Sequence, residues 1–243
     1  MITIVIQYWN RPAQLANTLQ SFKYSQSKDF NVLIVDNHSK EEIHLYGFPY
    51  KVDILRLDKE YHYLAAHNIG LKYAIKYNPD IIIIQHSEIY HQGDIISYAK
   101  NVTDKSYISF GCYSLGQGEQ PETVNVNPRG NNFDGDSGWY NHPVFRAGAH
   151  HFCSAITTEN LIKLNGFDER FCQGVAYDDD DFRERIKRLG LEIEITSDPF
   201  GFHQWHPNGW ATKPELIYHN KALYEQIQNE TGYKAHHILT PDL

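Results

Sequence analysis

The chain has 243 residues, 41% of them hydrophobic and 21% charged, which excludes a disordered chain and is enough to bury a core without disulfides or metal. Its longest apolar run, Ile81-Ile82-Ile83-Ile84, is far too short for a bilayer span, and residues 1–6 lack the basic and small-residue features of a secretion signal, so a cytoplasmic protein with no membrane span is expected. A formal net charge of -8 argues against bulk attraction to nucleic acid or anionic membranes. The 3 cysteines have no metal-type spacing and read as reduced thiols, whereas 14 histidines are a reason to look for metal or phosphate chemistry.

Residues 2–7 form a β-branched run expected to be a buried strand. Asn10 reads as an N-cap with Pro12 in the first turn of a helix carrying Leu15, Leu19 and Phe22. Residues 31–35 are a second buried strand ending in Asp36-Asn37-His38-Ser39, and 52–57 a third. A helix is expected over 63–77, a fourth strand over 80–85, a short helix over 93–102 and a fifth strand over 107–112. This alternation predicts an α/β fold whose mostly parallel, mixed sheet is flanked by helices. Right-handed crossovers put the strands' carboxyl ends on one edge, where ligands bind in open sheets. Segments 7–11, 36–39 and 86–88 each follow a strand and should share that edge.

The second half differs. Residues 114–143 are rich in Gly, Asn, Pro and Gln, and a loop that long is usually functional or mobile. A strand follows near 152–157, then helices near 159–164 and 178–189 and a strand over 191–196 leading into His203-Gln204-Trp205-His206. One helix is expected in the tail, over 214–231.

Four places offer chemistry. Asp178-Asp179-Asp180-Asp181 opens a helix, where the dipole favours carboxylates, but four adjacent like charges call for something positive nearby. A turn with solvated side chains is the plain alternative for His86-Ser87-Glu88, which follows the most apolar strand; as a mixed nitrogen and oxygen set it suits Mn²⁺, Fe²⁺ or Zn²⁺ better than Ca²⁺. His203 and His206 lie four residues apart inclusive of both, beside a Trp and a Pro. Asp36 ends a buried strand, either as a simple cap or as an acceptor for a ring N–H of a nucleobase.

Several segments, in order, resemble the family-2 glycosyltransferases with a GT-A fold. They are Ile4-Val5-Ile6-Gln7-Tyr8-Trp9-Asn10-Arg11; Val35-Asp36-Asn37-His38-Ser39; Ala65-Ala66-His67-Asn68-Ile69-Gly70; Gly166-Phe167-Asp168-Glu169-Arg170-Phe171; and Tyr177-Asp178-Asp179-Asp180-Asp181-Phe182. The resemblance spans residues 2–206. It departs from the family at His86-Ser87-Glu88, in place of Asp-x-Asp, at Asp178-Asp179, in place of Glu-Asp, and at His67, in place of an arginine.

What the resemblance implies is a Rossmann-like nucleotide-sugar-binding half over 1–112, an acceptor and catalytic half over 113–206 and a helical tail over 207–243 of one domain. It implies an inverting transfer of a sugar from a nucleoside-diphosphate donor, UDP-sugar foremost, to the hydroxyl of a carbohydrate or other acceptor. Asp179 matches the family's base. Glu88 and His203, with His206 as fallback and His86 as a further candidate, would hold a divalent cation, Mn²⁺ or Mg²⁺ with Mn²⁺ favoured. Gln7, Tyr8, Asn10 and Arg11 would surround base and ribose, Asp36 would accept from the base, Asn68 would stand near the phosphates, and His86 would also contact the bound donor. Trp139 and Tyr140 would cover the acceptor. The rival readings are a sugar-phosphate nucleotidyltransferase, disfavoured because residues 7–18 contain no Gly, and a non-catalytic nucleotide-sugar binder.

Overall fold

The computed structural model describes residues 1–43, 45, 47–126, 137–207 and 213–236. Its core is one nine-stranded sheet. The first part is parallel: β1 (Ile2–Tyr8) lies between β2 (Phe30–Asp36) and β4 (Ile81–His86), with β3 (Lys51–Arg56) outside β2. Strand β8 (Cys153–Thr157) pairs antiparallel with β4 and joins on β6 (Ser106–Ser114). Strand β9 (Glu192–His203) runs parallel to β6, and the short β5 (Ile89–Gln92) and β7 (Gly138–Asn141) are antiparallel additions. The parallel half matches the predicted alternation; the other half is mixed.

Both faces of β1 are buried, as its continuous apolar run requires. Ile2, Ile4 and Ile6 pack with Leu15 and Leu19 of α1 (Pro12–Ser21). Val5 faces the other side, with Leu64 and Leu71 of α2 (Tyr63–Ile75) and with α4 (Thr158–Leu164) and α5 (Asp178–Arg188). Helix α2 lies close on the sheet because Gly70 has no side chain: a Cβ there would come within 2.3 Å of Val35. A short helix α3 (Ile95–Tyr98) follows β5, and α6 (Pro214–Ile227) covers the loop before α5. No described helix is long and apolar enough to cross a membrane.

Three local expectations are corrected. Asn10 is no helix cap: it is in the left-handed region (φ 52) and its Oδ1 accepts from the Lys40 N–H, while Arg11 takes the cap position. Strand β9 continues to His203, because pairing with β6 resumes after a register shift that skips Ser197, Asp198 and Pro199. Trp139 lies in β7 and packs against Tyr113 and Phe200, so it is core and not an acceptor cover. Of the 114–143 loop, residues 127–136 lie outside the described residues, as do 208–212 and 237–243 of the predicted tail.

Candidate active site

The parallel register brings the strand ends together: Gln7 is opposite His86, and Tyr8 opposite Asp36. They open onto a cleft of about 350 Å³. Gln7, Trp9 and Arg11 come from the end of β1, and His86 and Glu88 from the turn after β4. Asp178 and Asp179 come from the first turn of α5, and His203 and His206 from the end of β9. Tyr63, Tyr140 and His151 complete the walls. Glu88 and Asp179 therefore share one cleft.

On one side, Glu88 is 3% exposed. Its Oε1 accepts from Arg11 at 2.6 Å and its Oε2 from the Ser87 hydroxyl at 2.8 Å. Around Oε1 stand His206 Nε2 at 3.6 Å and His203 Nε2 and His86 Nδ1, each at 3.8 Å. Burial favours the neutral acid, but His206, His86 and Arg11 outweigh it and hold Glu88 well below the usual carboxylate range. Burial pushes His203 down to about 4, so it is neutral at pH 7. His206 has Nδ1 3.0 Å from the Pro207 carbonyl, which favours the tautomer whose Nε2 lone pair faces Glu88. A buried carboxylate with the His203 and His206 imidazoles aimed at it is a donor set that fits a divalent cation.

On the other side, Asp179 accepts the His151 N–H at 2.9 Å, with His151 Nδ1 2.6 Å and His150 Nδ1 3.5 Å away. Burial works against its charge, but His151 and His150 outweigh it and hold the carboxyl well below the usual range. Asp178 is pushed the other way, up to about 6, by burial and by the charge on Asp179; its Oδ1 accepts from the Tyr63 hydroxyl at 2.7 Å. The two carboxylates are aimed by a strained corner, Ala176 (φ 66) and Tyr177 (φ 64). Asn220 of α6 holds that corner by donating to the carbonyls of Phe171 and Ala176. The repulsion expected among the four aspartates is met by histidines at Asp179, by Arg183 at Asp180 and by Arg185 at Asp181.

The family model described as the N-terminal domain of galactosyltransferase matches residues 147–205, which carry His150, His151, Asp178, Asp179 and His203. No curated protein sequence matches the chain. Among solved structures, GalNAc-T7 with UDP, GalNAc and Mn²⁺ aligns at TM-score 0.66 and 13% identity, over 95% of this chain and 48% of that one. TarS 1-349 from S. aureus, in complex with UDP-GlcNAc, aligns at 0.64 and 13%, over 94% and 66%. The mannosyltransferase PcManGT from Pyrobaculum calidifontis, with GDP-Man and Mn²⁺, aligns at 0.60 and 14%, over 93% and 64%. The chain has the GT-A fold. The chain spans 39% of the full TarS structure and 64% of PcManGT, so it corresponds to part of those proteins.

Within this GT-A fold, Gln7, Arg11, His86, Glu88, Asp179, His203 and His206 come together as expected. Four other expected residues do not line the cleft. Tyr8 is buried in the core under β1. Asn10 is spent on the turn with Lys40. Asp36 is buried, its two oxygens taken by the Ser39 N–H and the Arg56 guanidinium. Asn68 is fully buried and bonds both backbone polar groups of Phe167 and the Glu169 carboxylate, so it clasps α2 to the 167–169 segment. Trp9, Tyr63, His150 and His151 were not expected in the site. The adjacent His150-His151 pair ahead of an apolar strand was the readable signal.

Proposed function

We propose that the protein transfers a sugar from a nucleoside-diphosphate donor, UDP-sugar foremost, to an acceptor hydroxyl, inverting the anomeric centre. The observation that carries this reading is the placement of Glu88 and Asp179 on walls of one cleft, with nucleotides and Mn²⁺ in the named neighbours as support. Segment 1–112 would bind the donor and 113–206 the acceptor.

Glu88, His203 and His206 would hold the divalent cation, Mn²⁺ or Mg²⁺. When bound, the cation supplies Lewis-acid neutralisation of the charge gathering on the leaving diphosphate. Arg11 adds a fixed positive charge beside Glu88. Trp9, 41% exposed at the cleft, offers an aromatic face to a base or sugar ring. Asp179 takes the proton from the acceptor hydroxyl as that oxygen bonds to the anomeric carbon, and the carbon–oxygen bond to the diphosphate breaks with its electron pair. His150 and His151 keep Asp179 ionised and oriented for that step.

The test is a transfer assay with Mn²⁺, a panel of nucleotide sugars and sugar acceptors, with the product anomer read by NMR. An inverted product whose formation collapses in Asp179→Asn supports the reading. A retained anomeric configuration, or full activity in Asp179→Asn, overturns the assigned mechanism.

A further inference from the structure

Next to the Glu88 cluster lies a second group of histidines drawn from three distant parts of the chain. His67 is on α2, His86 ends β4 and His151 precedes β8. Their ring centres are 5.4 Å (67 to 86), 5.5 Å (86 to 151) and 6.1 Å (67 to 151) apart. One ring nitrogen from each lies within 4.8 Å of the others. Three imidazoles on one tetrahedral ion, with metal–nitrogen bonds near 2 Å, place ring centres about 5 Å apart, so the observed triangle is slightly expanded from that of a bound tripod.

We propose that His67, His86 and His151 form a transition-metal site separate from the Glu88 cation site and selective for Zn²⁺-class ions. His67 is 0% and His151 2% exposed. Both nitrogens of His67, and Nε2 of His86 and of His151, have no hydrogen-bond partner among the described residues. Buried polar atoms are rarely left so without an unseen partner such as an ion. His151 Nδ1 sits 2.6 Å from the Asp179 carboxylate, an ion-pair contact that leaves Nε2 for an ion, as in a carboxylate–histidine–metal arrangement. The Phe167 ring lies tilted beside both His67 and His151, with ring centres 5.5 and 4.5 Å away, and walls off one side. An all-nitrogen tripod suits Zn²⁺, Co²⁺, Ni²⁺ or Cu²⁺, whereas Mg²⁺ and Mn²⁺ prefer oxygen-richer sets such as the one around Glu88. An ion here ties α2 to β4 and to the segment before β8, and holds His151 on Asp179. The site stands whether or not sugar transfer is established.

The experiment titrates the chelator-treated full chain with Co²⁺ under excess Mg²⁺, following the visible bands of tetrahedral cobalt and the bound metal per chain. The expected result is about one tightly held Co²⁺ per chain, displaced by Zn²⁺, retained in Glu88→Gln, and weakened at least tenfold in both His67→Phe and His86→Gln. Circular dichroism and melting in chelator check that each variant folds; should His67→Phe fail to fold, His86→Gln on the cleft wall decides. No cobalt band in the natural protein overturns the proposal. So does a band that survives the folded histidine variants, or one lost in Glu88→Gln while His86→Gln keeps it. Because the readout is metal uptake, its failure leaves the transfer reading untouched, and the loss of transfer leaves this one untouched.

Discussion

Glu88 and Asp179 are both cleft carboxylates surrounded by histidines, yet their neighbours stand at different distances. Three imidazole nitrogens face Glu88 from 3.6–3.8 Å, beyond hydrogen-bond reach, and leave room between donors. At Asp179, His151 Nδ1 is in direct contact at 2.6 Å and the backbone N–H at 2.9 Å. Side-chain exposure differs too, 4% for Glu88 and 22% for Asp179. A spaced, sequestered set of oxygen and nitrogen donors suits a cation; an oriented, partly open carboxylate suits a proton acceptor. One residue vocabulary makes two different carboxylate environments through spacing and exposure.

Substitutions break this contrast in graded ways. The largest expected effect is at the open carboxylate: Asp179→Asn should lower turnover by about 10²–10⁴-fold, the usual worth of a general base, while the affinity for a nucleotide diphosphate measured by calorimetry stays within about threefold. A comparable loss of affinity would move Asp179 from proton transfer to donor binding.

At the sequestered carboxylate the pattern should invert. Glu88→Gln should weaken Mn²⁺-dependent nucleotide binding by about a hundredfold, as loss of a metal's carboxylate ligand implies, leaving metal-free nucleotide binding little changed. Unaltered Mn²⁺ dependence in that variant would remove Glu88 from the cation site.

A third change separates support from chemistry. Asn68→Ala deletes the clasp on Phe167 and leaves its buried N–H and carbonyl unpaired, which should cost at least about 2 kcal/mol in urea unfolding. If stability is unchanged but nucleotide affinity drops, Asn68 serves the ligand after all.

The smallest effect is pH-dependent. Asp178, at about 6 when folded against an ordinary value of 3.8, binds its proton more tightly in the native state. Its contribution to stability is therefore fully present below the unfolded value and fades as pH rises through about 6. Asp178→Asn, which keeps an acceptor for Tyr63 and removes the buried charge, should melt near the natural protein at pH 4 and above it at pH 7. A gap that shrinks over that range would contradict the assigned direction.

The same contrast shows what the sequence made legible. The parallel half could be read because doubly buried strands are unbroken apolar runs, and their ends carried Gln7, Arg11, His86 and Glu88 to one edge. The mixed half could not. β5 is four residues long and begins two residues after β4 ends, and β9 is interrupted by Ser197-Asp198-Pro199, so neither gives a clean period. Asp179, His203 and His206 were placed by resemblance to ordered family motifs. His150 and His151 escaped because their partner, Asp179, is 28 or more residues away and only the fold joins them. Tyr8, Asn10, Asp36 and Asn68 lie off the cleft for a related reason: a motif fixes where a residue sits along the chain, while Arg56, Lys40 and Phe167 engage polar atoms of Asp36, Asn10 and Asn68.

On the proposed function, this cleft holds a nucleoside diphosphate sugar against a cation bound at Glu88. The most direct measurement is the melting temperature of the full chain with UDP, GDP and their sugars, each with and without Mn²⁺, in the natural protein and in Glu88→Gln. Ligands that bind only the folded state raise it by mass action. At least one nucleotide diphosphate should raise the melting temperature, Mn²⁺ should enlarge the rise, and Glu88→Gln should abolish the enlargement. A melting temperature indifferent to every nucleotide, with or without Mn²⁺, would contradict the proposed function.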